Sequence, residues 1–266
     1  MRTIRLALMV FCVAMLATAC VQTQTGGVQQ EPSVRSAPDP ADADKRASVR
    51  LELAGGYFSR GQFDTALEEI KLALAAKPDL GGAYNMRGLV YAAMGEDRLA
   101  DESFERALTL NPRDADAMHN RGWFYCQRGR YDEADRLFEQ AIAQPQYRDQ
   151  ARSLAGQGLC HARAGRLAPA EQKLQRAYEV DPNNPNTAYN LSEVLYRRGD
   201  YERARFYIRR INDRDELSNA QTLWLATKIE HRAGNRGGVD VYSRQLRVRF
   251  PQSPEALALD RGRFDD

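Results

Sequence analysis

Few side chains in this sequence have the type and spacing needed for catalysis or metal binding. Its three histidines, His119, His161 and His231, stand far apart, and none has a second ligand at the spacing of a metal site. The sequence also lacks HExxH, GxSxG and a phosphate-binding glycine loop. We therefore predict no catalytic residue, no metal, no cofactor and no small-molecule substrate, and we interpret the histidines as ordinary helix-surface residues.

The chain begins with the features of a bacterial secretion signal. Arg2 and Arg5 precede an apolar run over residues 6–16, which is too short to cross a bilayer as a helix. The run leads into "ATAC", whose small residues before Cys20 resemble the lipobox of bacterial lipoproteins. We predict that residues 1–19 form a signal peptide and that Cys20 is acylated, as with palmitate. Ordinary cleavage of the signal peptide, without lipid, is the alternative.

The residues after Cys20 indicate how the folded part would be attached. Position 21 is Val rather than Asp, which under the sorting rule of enteric-type bacteria points to the periplasmic face of the outer membrane. Residues 20–46 are rich in Gln, Pro, Ser, Asp and Gly and show no hydrophobic period. Such a segment buries too little apolar surface to offset its ordering entropy, so we predict a flexible polar tether.

The charge balance argues against nucleic acid as a partner. The 38 Lys and Arg residues include Arg2 and Arg5 of the predicted signal peptide, and 38 minus these two leaves 36, which equals the 36 Asp and Glu residues. A neutral mature chain gives no electrostatic reason to bind nucleic acid. With 43% hydrophobic residues, the chain can still bury a sizeable core.

The sequence after residue 46 repeats with a period of about 34 residues. The repeats align on glycines that are followed, in five of six cases, by alanine five residues later: Gly61, Gly95, Gly129, Gly165, Gly199 and Gly234. This period, together with its aromatic and proline positions, is that of the tetratricopeptide repeat, a helix–turn–helix unit that stacks into a right-handed superhelix. We predict an all-α superhelix of about six repeats.

Two kinds of glycine have separate roles in these units. The aligned glycines would end the first helix of each repeat in a left-handed conformation. Gly88, Gly122 and Gly158 fall in the middle of first helices, where a Cβ would keep the two helices of a repeat apart. The predicted repeats span 47–80, 81–114, 115–150, 151–184, 185–219 and 220–253, and residues 254–266 form a C-terminal capping helix.

Cys126 and Cys160 lie in the predicted repeats without CxxC spacing and without a His and acid arranged about them. They fall at non-equivalent positions of the first helices of neighbouring repeats. A disulfide is one alternative in an oxidising periplasm. We predict instead two separate, mostly buried thiols.

A chain without catalytic chemistry is expected to act through a surface. In this repeat the concave groove is lined by particular positions of the first helices. Aromatic residues with Arg and Gln around them are typical of protein-binding sites. The predicted protein-binding groove comprises Phe58, Asn85, Leu89, His119, Trp123, Gln127, Arg163, Tyr189, Glu193, Tyr196 and Arg197. For Trp123, partial packing against the next repeat is the alternative.

The sequence resembles the PilF/PilW family of type IV pilus biogenesis lipoproteins of Gram-negative bacteria. The resemblance is most specific in "NRGWFYCQRGRYDEADRLFEQA", in "YNLSEVLYRRGDYERARFYI" and in "LRVRFPQSPEA". It implies a pilotin, a lipoprotein that binds the type IV pilus secretin subunit and promotes its outer-membrane localisation and assembly into a multimer.

Two other functions would fit the same repeats. One is a lipid-anchored repeat scaffold that serves barrel assembly or peptidoglycan synthesis. The other is an enzyme whose catalytic residues follow no recognised motif. A pull-down from solubilised outer membranes would separate the secretin from the partners of a rival scaffold.

Overall fold

Thirteen helices and no strand make up residues 40–264, the part of the chain that this computed structural model describes. The helices are α1 (Pro40–Ser59), α2 (Phe63–Ala76), α3 (Gly81–Met94), α4 (Asp97–Leu110), α5 (Ala115–Gln127), α6 (Tyr131–Ile142), α7 (Gln150–Arg163), α8 (Leu167–Val180), α9 (Pro185–Arg197), α10 (Tyr201–Asn212), α11 (Ala220–Arg232), α12 (Arg236–Arg249) and α13 (Pro254–Asp260). The predicted signal peptide, Cys20 and most of the predicted tether lie outside the described residues.

The helices form six antiparallel pairs followed by α13, which confirms the predicted all-α repeat architecture. The six aligned glycines lie between the two helices of each pair, and all have positive φ, from 71° at Gly61 to 82° at Gly199. An L-residue with a side chain rarely adopts this conformation, so glycine is the residue that allows the reversal. The period of about 34 residues in the sequence therefore marks the turn between the two helices of each repeat.

The mid-helix glycines lie where the two helices of a pair cross closely, as predicted. A Cβ added to Gly88 would lie 2.7 Å from the ring of Phe104, and one added to Gly158 would lie 2.6 Å from Leu174 Cγ. Real Cβ contacts are essentially never so short. The helix-propensity cost of glycine, about 1 kcal/mol, is thus offset by close packing.

The core is a row of large side chains contributed by the second helices. One fully buried residue stands at the same position in five successive pairs: Ile70, Phe104, Phe138, Leu174 and Ile208. Burial of each contributes about 1.5–3 kcal/mol. Each odd-numbered helix from α3 to α9 also contacts the next odd-numbered helix, so the first helices form a continuous inner wall.

The sixth pair lacks the large core residue of the other pairs, and an ion pair joins it to the fifth. Ser243 of α12 stands where the other second helices carry the large core residue, and it is buried. The carboxylate of Glu230 on α11 is only 5% exposed and accepts two hydrogen bonds from Arg205 of α10, both at 2.8 Å. This paired buried charge joins the fifth repeat to the sixth.

The first helix begins earlier than the sequence analysis placed it. α1 starts at Pro40, so residues 40–46 are helical rather than part of a tether. Ala47 is fully buried, and Asp44 pairs at 2.9 Å with Lys77, the residue that follows α2. The Asp44 carboxylate also raises the pKa of Lys77. This ion pair gives the polar residues before Ala47 a contact with the end of α2 that composition alone does not reveal.

Candidate functional site

An open depression of about 720 Å³ lies on the inner wall between α5, α7 and α9. Its floor and sides include Trp123 of α5, Leu159 and Ala155 of α7, and Asn190 of α9. The depression is therefore built from the first helices of three successive repeats. Concave sites of this size with apolar and polar lining residues are the usual places for a ligand or a peptide.

Trp123 is the central aromatic residue of this depression. It is half-buried and packs against the core cluster that contains Phe124 and Phe138. The guanidinium of Arg163, at the end of α7, lies 4.9 Å from its ring centroid. The indole therefore faces the groove and packs against its neighbours at once. A cation is attracted to an aromatic face, so Arg163 helps to hold the indole in place.

His119 is not a surface residue, contrary to prediction. It is 6% exposed, its ring contacts Phe138 edge-on, and its Nδ1 lies 2.8 Å from Ser153 Oγ on α7. Burial lowers the pKa of His119 to about 3, so the imidazole is neutral. Gly156 lets α7 lie close to this pair, because a Cβ there would lie 3.0 Å from the Phe138 ring and 3.4 Å from the imidazole. His119 is part of the floor of the depression.

The other two histidines differ from each other. His161 is buried, which corrects its interpretation as a surface residue, and its Nε2 lies 3.0 Å from Asp135 Oδ1 on α6. Burial lowers the pKa of His161. His231 is exposed, as predicted. Within residues 40–264, no group of three or more His, Cys, Asp or Glu side chains could hold a metal ion.

Cys126 of α5 and Cys160 of α7 form a disulfide, with their Cα atoms 5.6 Å apart. The prediction of two separate thiols is therefore wrong. Counted from the mid-helix glycines the cysteines are non-equivalent, because Cys126 lies four residues after Gly122 and Cys160 only two after Gly158. The residues that face each other here are instead separated by 34 positions, the ordinary repeat period, although the third repeat is extended. The bridge lies within a helical turn of Trp123.

Side-chain hydrogen bonds join α3, α5 and α7 along the inner wall. Asn120 Nδ2 donates to Asn85 Oδ1 at 3.1 Å, and Asn120 Oδ1 accepts from Arg152 at 2.9 Å. Leu89 packs against the same core cluster as Trp123. Gln127 is exposed at the end of α5 and accepts from Arg128 at 3.2 Å.

The predicted groove residues on α9 lie beside the depression. Tyr189 is half-buried against the core of the fifth repeat, and burial raises its pKa to about 12. Glu193 and Tyr196 are also half-buried, and the exposed Arg197 reaches the carbonyl of Ala162 at 3.4 Å. These side chains continue the inner wall toward α11.

Phe58 lies in the first repeat, two repeats before Trp123, and packs against a different cluster. Its ring packs at 5.9 Å from Phe63, between α1 and α2. It is half-buried. Phe58 therefore does not share a site with Trp123.

Sequence reasoning missed several polar residues that line the depression. Arg148 comes from the loop before α7, and Asn184 and Asn186 flank the start of α9. Loop residues do not follow the helical period, so the repeat alignment did not place them. The only signals were the two-residue extension before α7 and the asparagines of "DPNNPN".

None of the helices within residues 40–264 combines the length and the apolar character that crossing a membrane requires.

Tetratricopeptide-repeat family models match residues 81–114, 113–183 and 161–224, which together cover more than half of the chain. The type IV pilus assembly protein PilF of Pseudomonas aeruginosa is 28% identical over 253 residues, which is 95% of this chain and 96% of that protein.

Two solved structures resemble this fold over most of the chain. The crystal structure of PilW, a widely conserved type IV pilus biogenesis factor, gives a TM-score of 0.73 at 29% identity, and the match covers 80% of this chain and 97% of that one. The structure of PilF from Pseudomonas aeruginosa gives a TM-score of 0.72 at 25% identity and covers 83% and 99%. The chain therefore belongs to the tetratricopeptide-repeat proteins, and among them it is PilF/PilW-like.

Proposed function

We propose that this protein is a pilotin: a lipid-anchored outer-membrane protein that binds the type IV pilus secretin subunit and promotes its localisation and multimer assembly. The observation that carries the proposal is the likeness to the pilus assembly protein PilF along 95% of the chain. It supports a role in pilus biogenesis through protein interaction rather than catalysis. The secretin as partner and the lipid at Cys20 come from the sequence resemblance.

The depression between α5, α7 and α9 is the surface we assign to the secretin segment. Trp123, Leu159 and Ala155 offer aromatic and apolar surface within the depression. Arg163, which contacts the Trp123 ring, offers a charge beside it. Aromatic and arginine side chains in partly desolvated pockets account for most of the binding energy in typical interfaces. An extended segment could place an apolar side chain on Trp123 and a carboxylate on Arg163.

The polar rim of the depression suits an extended backbone. Asn186 and Asn190 of α9 and Arg152 of α7 border the depression on both sides. Amide side chains carry both donors and acceptors, so they can pair with the N–H and C=O groups of a bound chain. Backbone recognition of this kind gives affinity, while the pocket at Trp123 gives specificity.

Anchoring and binding would then act together. A lipid at Cys20 would hold the groove close to the outer membrane, and each bound secretin subunit would be held at a high effective concentration beside the bilayer. In this mechanism the Cys20→Ser variant remains folded and leaves the outer membrane. Fractionation with lipid labelling measures this, and a variant that stays wholly in the outer membrane would place the anchor elsewhere.

The groove assignment is tested with two variants, Trp123→Ala and Arg163→Glu. Loss of one anchor of this kind costs about 2 kcal/mol, which is roughly a thirtyfold loss of affinity, so we expect much less secretin multimer in the outer membrane. Arg163→Glu changes an exposed side chain and should leave the melting temperature nearly unchanged. The matched control is Arg176→Glu on α8, an exposed arginine outside the depression.

The outcomes separate the proposal from its rivals. Undiminished multimer in both folded groove variants would refute the groove as the secretin site. Capture of barrel-assembly or peptidoglycan-synthesis proteins, without the secretin, from solubilised outer membranes would favour the rival scaffold.

A further inference from the structure

The segment that follows α13 lies on the inner face of the last two repeats. After Asp260 the chain turns at Gly262, whose φ is 65°, and Phe264 returns over α11. The Phe264 ring stacks on His231, with centroids 4.1 Å apart and an interplanar angle of 13°. It also lies 5.4 Å from the ring of Trp224, and its carbonyl accepts a hydrogen bond from Tyr196 Oη at 3.5 Å.

The surface under this segment continues the inner wall. Trp224 and Lys228 of α11 stand 35 residues after Tyr189 and Glu193 of α9, at the same positions of the next repeat. We call the surface made by Tyr196, Trp224, Lys228 and His231 the aromatic shelf. It is separate from the depression at Trp123, because no member of the shelf lines that depression.

The aromatic shelf combines flat rings with a cation. Lys228 Nζ lies 5.5 Å from the ring centroid of Tyr196 and 5.8 Å from that of Trp224. Such a surface stacks an aromatic side chain and attracts a neighbouring carboxylate. The sequence of residues 261–266, "RGRFDD", has this composition: an aromatic residue followed by two acidic ones.

We propose that the aromatic shelf is a peptide-binding site for a partner segment in which an aromatic residue is followed by acidic residues. In the free protein, segment 261–264 occupies the shelf and competes with that partner. The seated Phe264 shows which side chain the shelf accepts, and Lys228 gives the charge complementarity for the acidic residues. The inference does not depend on the secretin as partner or on the depression at Trp123.

Segment 261–264 makes few buried contacts, as expected if a partner can displace it from the aromatic shelf. Only Phe264 is partly buried, while the three residues before it are exposed. α13 is itself held through the buried Ala256 and Leu259, which pack with Leu223 and Leu246, and Phe264 lies at the partly buried margin of this cluster. Displacement of Phe264 therefore removes one marginal side chain and leaves these buried contacts of α13 in place.

The test uses fluorescence anisotropy with a labelled RGRFDD peptide. The parent is compared with a variant that lacks residues 262–266 and with Phe264→Ala. An aromatic stack of this kind favours the seated form by about fivefold, so we expect both variants to bind the peptide about five times more tightly than the parent. Adding His231→Ala to either variant removes the stacking partner and should abolish the gain.

Two controls define specificity. A peptide with alanine in place of phenylalanine should bind neither variant, and Arg163→Glu at the depression should leave RGRFDD binding unchanged. Equal peptide affinity in the parent and both variants would overturn the proposal, as would equal binding of the alanine peptide. A large fall in melting temperature in Phe264→Ala, without a gain in affinity, would show that Phe264 is core packing and would also overturn it.

Discussion

Removal of the Cys126–Cys160 disulfide should lower the free energy of unfolding by about 4 kcal/mol. The bridge closes a loop with a sequence separation of 34 residues. In the chain-entropy treatment, a loop of this length removes about 13 cal/mol/K from the unfolded ensemble, which is about 4 kcal/mol at 25 °C. Both cysteines are at most 3% exposed, so alanine is the better replacement because serine would bury a hydroxyl group.

The assay is urea unfolding followed by far-UV circular dichroism, with and without a thiol reductant. The reductant removes the bridge without changing any side-chain volume, whereas the Cys126→Ala/Cys160→Ala variant also loses packing. We therefore expect the oxidised parent to be the most stable, the reduced parent to lose about 4 kcal/mol, and the double variant to lose somewhat more. The double variant should not respond to reductant.

Two results would contradict this reasoning. Coincident unfolding curves for the oxidised and reduced parent would show that the bridge does not constrain the unfolded chain. Two titratable thiols from Cys126 and Cys160 in the unfolded, unreduced protein would show that the bridge is not formed. Faster hydrogen exchange confined to the third and fourth repeats of the reduced protein would show that the loss of stability is local, as nearest-neighbour coupling in repeat proteins predicts.

Other perturbations follow from single contacts. Burial lowers the pKa of His119 to about 3, so below pH 6.5 the unfolded chain takes up a proton that the native state excludes. The free energy of unfolding, measured with urea, should therefore fall by about 2 kcal/mol between pH 7.5 and pH 5. His119→Gln should remove this pH dependence, apart from a smaller contribution of His161. Gly158→Ala should cost about 1–3 kcal/mol, because its Cβ would lie 2.6 Å from Leu174 Cγ. Gly55→Ala, with 3.7 Å to its nearest neighbour, should instead be neutral or stabilising by up to about 1 kcal/mol, and equal melting temperatures for the two variants would contradict the assigned crossings.

The sequence was sufficient for the repeat architecture because each repeat is fixed by local rules. A left-handed glycine such as Gly129 ends a first helix, and a mid-helix glycine such as Gly88 allows a close crossing with Phe104. Both requirements recur at a fixed spacing, so one aligned pattern predicts all the turns. The sixth pair was the least regular in sequence, and in the structure it is the one without the large core residue, with Ser243 there instead.

Contacts between repeats could not be predicted in the same way. Which residue of α7 faces Cys126 or His119 depends on how one first helix is set against the next, and the two extra residues of the third repeat changed that register. Counting from mid-helix glycines placed Cys126 and Cys160 at non-equivalent positions, so the disulfide was not predicted. The position of Phe264 on the aromatic shelf is likewise a long-range contact with no periodic signal.

Three of the contacts that the sequence did not reveal lie beside the candidate site. The disulfide, the His119–Ser153 hydrogen bond and the Asn120–Arg152 hydrogen bond all join α5 to α7, the two helices that carry Trp123 and Arg163. A repeat array is held mainly by nearest-neighbour interfaces, so a weak interface would let the groove widen and narrow. A partner that spans several first helices would then lose affinity in fixing their spacing. We therefore expect the three links at this junction to hold Trp123 and Arg163 at a fixed separation before any partner binds.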